Sequence, residues 1–449
     1  MNHITFKCDF HLLPSGRLGG GSTLYIYAHT RVRMHFCCIF TALLLLFPSV
    51  SFAQEEQQRD SIATDTLSVD SLCHETDSLP WPQSLQRRID RIIEESSFLK
   101  SSQLGMMIYD ITADSVLYAV NEKHAMRPAS TMKVITAITA LDKLGGSYQF
   151  KTYLRYTGEA IDSIRTLNGD VYVVGGMDPR LNRDDVIAFV ESLMKLGIDT
   201  IRGNIYADKS LKDSDLLGEG WCWDDDNPVL TPLLYGEKEQ LMERFRQELE
   251  TAGVTHIGSY GENTAPSTSE IVCMRSHSID QILTRMLKDS DNLFAESLFY
   301  QFAATRNRPA NAADGREVEQ ALIRKMKLSP SDYRIADGSG LSLYNYVSPE
   351  LEVAFLRYAK QNAPIFNHLF SSLPVAGVDG TLSKRMKGTT AAENVHAKTG
   401  TVTGVSSLAG YATADNYHLL AFCIINQGVL SGSEARAFQD KICVEMTEK

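Results

Sequence analysis

No two cysteines in this chain are spaced as C-x-x-C, no HExxH pair occurs, and His124, His256, His277, His368, His396 and His418 stand scattered singly. Those absences leave no recognisable metal-binding pattern, so neither a metal nor another cofactor is expected. Basic stripes interleaved with aromatics are missing as well, and the formal net charge is −11. A nucleic-acid partner is therefore not expected. The apolar run from Phe36 to Phe47 is too short to cross a bilayer, so no transmembrane span is expected. The run Asp224-Asp225-Asp226 lacks the glycine and the closing glutamate of an EF-hand, and reads as a solvated turn flanked by core tryptophans. What is present, a hydrophobic fraction of 43%, is ordinary for a globular protein.

The short apolar run has a meaning of its own. Arg31 and Arg33 precede it, and Pro48 and the small-residue ending Ser51-Phe52-Ala53 follow it, the pattern of a secretory signal peptide cut after Ala53. Residues before Met34 fit no part of such a signal, which makes Met34 the expected start; a longer leader with the same cleavage point is the alternative. Export across the inner membrane, to a periplasmic or other extracytoplasmic site, is expected. Cleavage removes Cys8, Cys37 and Cys38 and leaves Cys73, Cys222, Cys273, Cys423 and Cys443, odd in number and widely spaced. That is no disulfide framework, and most are expected to be buried as small apolar residues. From residue 54 to about 80 the chain is acidic, rich in Ser and Thr and poor in large apolar residues, the composition of a disordered tether.

Three short motifs carry the chemistry, in this order: Ser130-Thr131-Met132-Lys133, Ser290-Asp291-Asn292 and Lys398-Thr399-Gly400. Ser-x-x-Lys is weak by itself, since Ser97 to Lys100 and Ser192 to Lys195 repeat it with nothing downstream to complete a site. Singly, each motif reads as a helix face, a cap or a strand ending in a bend. The ordered combination points to acyl transfer. A serine hydroxyl needs a base within hydrogen-bond reach, and a lysine three residues on shares its helix face. Pro128 ahead, Ile135, Ile138 and Leu141 at helical spacing, and Gly145-Gly146 behind predict that helix, with Ser130 in its first turn. There the helix dipole favours an oxyanion and the Ser130 N–H is free to donate to one.

A lysine acting as base must be neutral, which burial and a neighbouring cation favour. Lys398 is the expected neighbour, and its charge is also expected to attract an anionic substrate end. The alternation from Val395 to Thr401 predicts a strand with His396, Lys398 and Gly400 on one face, Gly400 letting substrate backbone approach the edge. Ser290 is placed to relay a proton to the leaving amine and Asn292 to hold a substrate amide, with Asp291 pointing away.

The predicted architecture is α+β. An amphipathic helix through Leu85, Ile89 and Ile92 precedes strands at 105–110 and 116–121; strands at 407–413 and 418–426, around an Asp415-Asn416 turn, precede a helix through Ala435, Phe438, Ile442 and Met446. The two ends of the chain are thus expected to build one domain, 81–145 with 267–449, with helices on one face of an antiparallel sheet. The 156 residues between Lys133 and Ser290 are too many for a loop and predict an inserted α/β domain, 146–266. Strands near 170–174 and 203–207, a turn Gly175 to Pro179 and helices 184–196 and 237–252 are expected inside it.

Longer strings sharpen the picture: Val174-Gly-Gly-Met-Asp-Pro179, Gly220-Trp-Cys-Trp-Asp-Asp225, Asp337-Gly-Ser-Gly-Leu-Ser342 and Leu373-Pro-Val-Ala-Gly-Val-Asp-Gly-Thr-Leu382. With them the chain, from about Leu99 to Gln427, resembles the penicillin-binding protein 4 family of D-alanyl-D-alanine carboxypeptidases and endopeptidases. The resemblance implies a transpeptidase-like fold shared with β-lactamases, peptidoglycan stem peptides as substrates and β-lactams as acylating inhibitors. It further implies Ser130 as acylated nucleophile, Lys133 as base, Ser290, Asn292 and Lys398 as catalytic partners, and Thr399, Gly400 and Thr401 as substrate-binding, with the oxyanion between the N–H groups of Ser130 and Thr401. The insert looks shorter than in relatives carrying two extra domains. A β-lactamase is the second reading, but no Glu-x-x-Leu-Asn stretch follows Asn292, and Glu296, Glu317, Glu319, Glu350 and Glu352 stand in other contexts. Stable acylation by penicillin is therefore expected. A catalytically weak wall-binding or sensor protein of the same fold is the third reading.

Overall fold

The computed structural model describes residues 79–161, 163–223 and 227–448. The leader, the Met34 start, the tether before residue 79, Cys73 and the run Asp224 to Asp226 lie outside the described residues. Helix α1 (Trp81–Glu95) opens with a proline in its first turn, where a missing N–H costs nothing, and buries Leu85, Ile89 and Ile92 as their spacing predicts. A hairpin follows, β1 (Gln103–Asp110) and β2 (Ser115–Val120), then α2 (Met132–Leu144), stopped by Gly145 at φ +81°.

The next stretch contains β3 (Gln149–Tyr156), β4 (Glu159–Ile161), β5 (Thr166–Asn168), β6 (Val171–Val174), α3 (Arg183–Lys195), β7 (Thr200–Ile201), β8 (Ile205–Asp208), α4 (Leu241–Thr251), β9 (Thr255–His256), β10 (Tyr260–Glu262) and β11 (Glu270–Ser278). Five helices succeed it: α5 (Ile279–Lys288), α6 (Asn292–Ala303), α7 (Ala312–Lys325), α8 (Pro349–Gln361) and α9 (Ala363–Ser372). The chain closes with β12 (His396–Val402), β13 (Val405–Thr413), β14 (Leu419–Gln427) and α10 (Gly432–Thr447).

Both ends of the chain meet in one five-stranded sheet, order β12-β13-β14-β1-β2, antiparallel throughout. On one face α1 and α10 pack Leu85, Ile89, Phe438 and Ile442 against Met106, Ile108, Phe422 and Ile424. On the other, α2 and α8 bring Ile135, Ile138 and Phe355 against Met107, Tyr109 and Cys423. Because both faces are covered, β14 reads as an unbroken apolar run rather than an alternation. Helix α6 is buried from Leu293 to Ala303, and α2 from Met132 to Leu141. These two enclosed helices begin at the first and second motifs, so the motif side chains stand on rigid supports.

The inserted stretch forms its own layers, a mixed sheet β10-β8-β6-β3-β11 and a smaller sheet β4-β5-β7-β9. Leu154, Val173, Phe189 and Phe245 fill the core between the sheet and helices α3 and α4. One predicted boundary moves. Strand β11 pairs with β3 from Glu270↔Tyr156 to Ser278↔Gln149, so the insert's sheet continues past residue 266. Its polar, half-exposed side chains hid it, since only an edge strand can alternate so loosely. The helix predicted from Glu237 begins instead at Leu241, because Gly236 (φ +54°) and Glu237 (φ +68°) make a left-handed turn closed by Lys238 N–H on Tyr235 O at 3.1 Å. Among the described cysteines, Cys423 and Cys443 are buried as expected, Cys273 is partly buried, and Cys222 is exposed; none is paired. Among the described residues no helix is long and apolar enough to cross a membrane.

Candidate active site

Ser130 sits in a tight turn, Ala129–Thr131, just ahead of α2. The sequence placed it inside the first helical turn; it precedes that turn because Ala129 takes a left-handed conformation, φ +50°. For a non-glycine residue this costs about 1–2 kcal/mol and persists only where the surroundings enforce it. Several groups do so. Pro128 O accepts from Ser407 Oγ at 2.5 Å and lies 2.8 Å from Thr131 Oγ1, whose oxygen also stands 2.6 Å from Glu352 Oε1. Gly340, at φ +80°, packs so closely on Ala129 O that a Cβ would overlap it.

Lys133 is completely buried. Its Nζ donates to Ser130 Oγ at 3.0 Å, Asn292 Oδ1 at 2.8 Å and Ser339 O at 2.7 Å. Those three acceptors match the three N–H bonds of an ammonium. When Lys133 gives one up, its lone pair points along the vacated direction, and only the serine can answer with an O–H. Lys398, also fully buried, donates to Ser290 Oγ at 2.8 Å and Thr399 O at 2.6 Å. Ser290 itself is left-handed, φ +63°. Asp291 does point away, capping α6 through Phe294 N–H (3.4 Å) and pairing with Arg285 at 3.3 Å.

The two amines differ from expectation in one respect. Burial pulls Lys133 down to about 8, against the opposing pull of Asp337, Glu296 and Asp291. Burial, followed by the charge of Lys133, holds Lys398 well below the usual lysine range. A permanently charged Lys398 beside a neutral Lys133 is thus not what these surroundings favour, since burial and the neighbouring amine both disfavour charge on Lys398.

Strand β12 is the sheet's edge. Ala376 N–H donates to Val395 O at 2.9 Å and Ala397 N–H to Pro374 O at 3.0 Å, so odd-numbered residues direct their backbone outward. By the two-residue period Thr399 and Thr401 present backbone groups along that same rim, beyond the covering segment. Thr399 Oγ1 donates to Thr381 Oγ1 at 2.8 Å, and Lys288 ties Asp379 at 2.6 Å, which fixes the 373–382 string beside the strand. The reason for Gly400 is different from the one expected. A Cβ there would overlap Ser407 Oγ and lie 2.7 Å from Pro128 O and 3.0 Å from Ser130 N, so the missing side chain serves the close approach of β12 to the serine turn.

The three motifs therefore converge: Lys133 joins Ser130 to Asn292, Lys398 is bonded to Ser290, and β12 at Gly400 lies close against the Ser130 main chain. Asp291, Asn292 and Leu293 border a cavity of about 710 Å³ that also touches Val229, Glu237 and Gln240 of the insert. Sequence reasoning missed the layer beneath. Asp337 accepts from Trp221 Nε1 (2.8 Å), Gly340 N–H (2.8 Å), Ser342 N–H (2.6 Å) and Asn345 Nδ2 (2.7 Å). Glu296 accepts from Ser339 N–H at 2.8 Å. Burial, then the Asp337 charge, pushes Glu296 up to about 8; burial pushes Glu352 up to about 7, and burial with Glu296 carries Glu319 well above the usual range. One signal was available, because Glu296 lies four residues after Asn292 on the same helix face.

The model of the D-Ala-D-Ala carboxypeptidase 3 (S13) family matches residues 85–233 and 236–449. The chain is 28% identical to the D-alanyl-D-alanine carboxypeptidase of Actinomadura sp. (strain R39), over 81% of this chain and 84% of that protein. It shares its fold with penicillin binding protein 4 of Haemophilus influenzae, at a TM-score of 0.72 and 23% identity, covering 79% of this chain and 97% of that one. With a β-lactam-complexed structure of the same protein the values are 0.66 and 24%, covering 79% and 98%. A match over most of its length, on a fold common to that structure, places the chain in the D-Ala-D-Ala carboxypeptidase 3 (S13) family.

Proposed function

We propose that Ser130 is the nucleophile of a serine D-alanyl-D-alanine peptidase, with Lys133 as its base. The observation that carries this is the 3.0 Å contact between Lys133 Nζ and Ser130 Oγ inside a fully buried amine pocket. Neutral Lys133 takes the hydroxyl proton as Ser130 attacks the carbonyl between two D-alanines, and a tetrahedral oxyanion forms. The N–H groups of Ser130 and Thr401 receive that oxyanion. As it collapses, the C–N bond breaks, and the proton that Lys133 took returns through Ser290, which is bonded to Lys398, to the departing amine, leaving Lys133 neutral again. Water then attacks the acyl-serine with Lys133 again as base, which releases the shortened stem peptide and restores the hydroxyl. Asn292 holds the peptide amide through its Nδ2, its Oδ1 being taken by Lys133.

Peptidoglycan stem peptides are the substrate class, and export to an extracytoplasmic site is part of the proposal. β-Lactams, whose strained amide occupies the same place, acylate Ser130 and stay. None of the described acidic side chains hydrogen-bonds Ser130; Glu296 and Glu352 are engaged by Ser339 N–H and Thr131 Oγ1. The inserted unit, extended to the end of β11, forms one wall of the cleft and sets which stem peptides enter.

A fluorescent penicillin and a D-Ala-D-Ala peptide test the assignment together. Lasting label on Ser130 with release of D-alanine is expected; rapid turnover of the drug would indicate a β-lactamase, and neither signal a binding protein. The pH dependence is a second prediction. Lys133 works as a base only when deprotonated, so the acylation rate should climb with pH through a midpoint near 8. A rate flat from neutral to alkaline pH removes Lys133 from the role.

A further inference from the structure

Beneath the nucleophile lies a connection that the acyl-transfer chemistry does not itself use. Trp221 belongs to the inserted stretch, yet its indole N–H ends on Asp337, a carboxylate only 2% exposed. The segment carrying it is fastened to the catalytic side, since Glu219 pairs with Arg334 at 2.9 Å and Arg316 at 3.2 Å. We propose that Trp221 is a positioning residue for Lys133, acting through the Asp337 carboxylate and the turn which that carboxylate holds. This rests on the reading of Ser130 and Lys133 as nucleophile and base.

The path is short: hydrogen bonds shape a turn, and the turn carries Ser339 and Gly340 to the base and the nucleophile. Asp337 gathers the N–H groups of Gly340 and Ser342 and the Asn345 amide, which bends residues 337–342 into a tight turn. On that turn Ser339 O takes a Lys133 hydrogen at 2.7 Å, and Gly340 presses on Ala129 O beside the nucleophile. The indole is thus the fourth donor on a carboxylate whose other three donors shape the seat of the base. Donors spread a carboxylate's charge; withdrawing one concentrates it and lets the turn relax. Lys133 feels that charge together with Asp291 and Glu296 from α6 and Lys398 from β12, while Glu319 on α7 stands behind Glu296.

Two substitutions then move the base in opposite senses. Trp221→Phe keeps the ring and deletes the N–H, leaving a more concentrated negative charge, so Lys133 holds its proton to higher pH. Asp337→Asn removes the charge, and Lys133 releases its proton at lower pH. The experiment measures acylation of the full chain by a fluorescent penicillin across neutral to alkaline pH, separating the limiting rate from drug affinity, alongside thermal midpoints. Trp221→Phe should lower the limiting rate roughly ten-fold with little change in affinity, since a small misplacement of a catalytic group is costly. Its rising limb should move up by about half a pH unit, and that of Asp337→Asn should move down. A folded Trp221→Phe chain with wild-type rate and limb, or one that merely melts earlier with the limb unmoved, overturns the inference. A wild-type chain that takes no label overturns the Ser130 and Lys133 reading as well.

Discussion

Replacing Lys133 with alanine should slow acylation of Ser130 by roughly a thousand-fold or more, within the span that a positioned general base contributes. Two losses combine. The hydroxyl loses the amine bonded to it, and Ser339 O and Asn292 Oδ1 lose the donor that aligned them. The effect on stability is much smaller, because opposing terms meet at this position. Orphaned buried acceptors cost about 1–3 kcal/mol, whereas removing a fully buried amine relieves a desolvation penalty of similar size. The variant should therefore fold, melt within several degrees of the parent and fail to take up fluorescent penicillin. Labelling at the parental rate would assign the base to another group, with Lys398 the next candidate through Ser290.

The second large effect comes from one methyl group. Gly400→Ala should reduce acylation by about a hundred-fold, because the new Cβ meets Pro128 O at 2.7 Å and Ser130 N at 3.0 Å, both main-chain atoms that cannot swing aside. The strand must retreat from the serine turn, taking Thr401 N–H with it and opening the proposed oxyanion site. Overpacking of this kind also costs about 1–3 kcal/mol of stability. A companion change separates the contributions: Ser407→Ala removes the third obstacle, Ser407 Oγ, but leaves the main-chain ones. The Gly400→Ala/Ser407→Ala pair should regain stability and little activity. Full recovery of labelling in the double variant would locate the whole problem in the hydroxyl and refute the role given to the strand's closeness.

The residues that do the bond-making were legible because chemistry fixed their spacing. Ser130 and Lys133 had to stand one helical turn apart, the serine just ahead of α2 and the lysine inside it, and the alternation around Lys398 marked a strand. Terminal helices α1 and α10 were equally clear, since each buries one stripe at helical spacing. What stayed hidden was what holds those residues. Asp337 and Trp221 are 116 positions apart, and no local period tells that an indole from the insert will end on a carboxylate under the base. Glu296 looked like a misplaced candidate for water activation; folded, it supports the Ser339 main chain. Gly400 carried the right identity for a different reason, because the atoms that forbid a side chain there come from Pro128, Ser130 and Ser407. Strand β11 lacked a buried face to announce it, and the left-handed Gly236-Glu237 pair delayed α4 by four residues.

The outer rim of β12 has a consequence for solubility. Unsatisfied main-chain groups along a sheet border invite self-templated growth, and proteins commonly blunt such borders. Here Pro374 and Ala376 occupy the rim as far as Ala397, leaving an aperture at Thr399 and Thr401 too short to recruit a whole foreign sheet. An extended segment a few residues long fits where a fibril cannot, so the covering segment blunts the border while leaving room for one short strand.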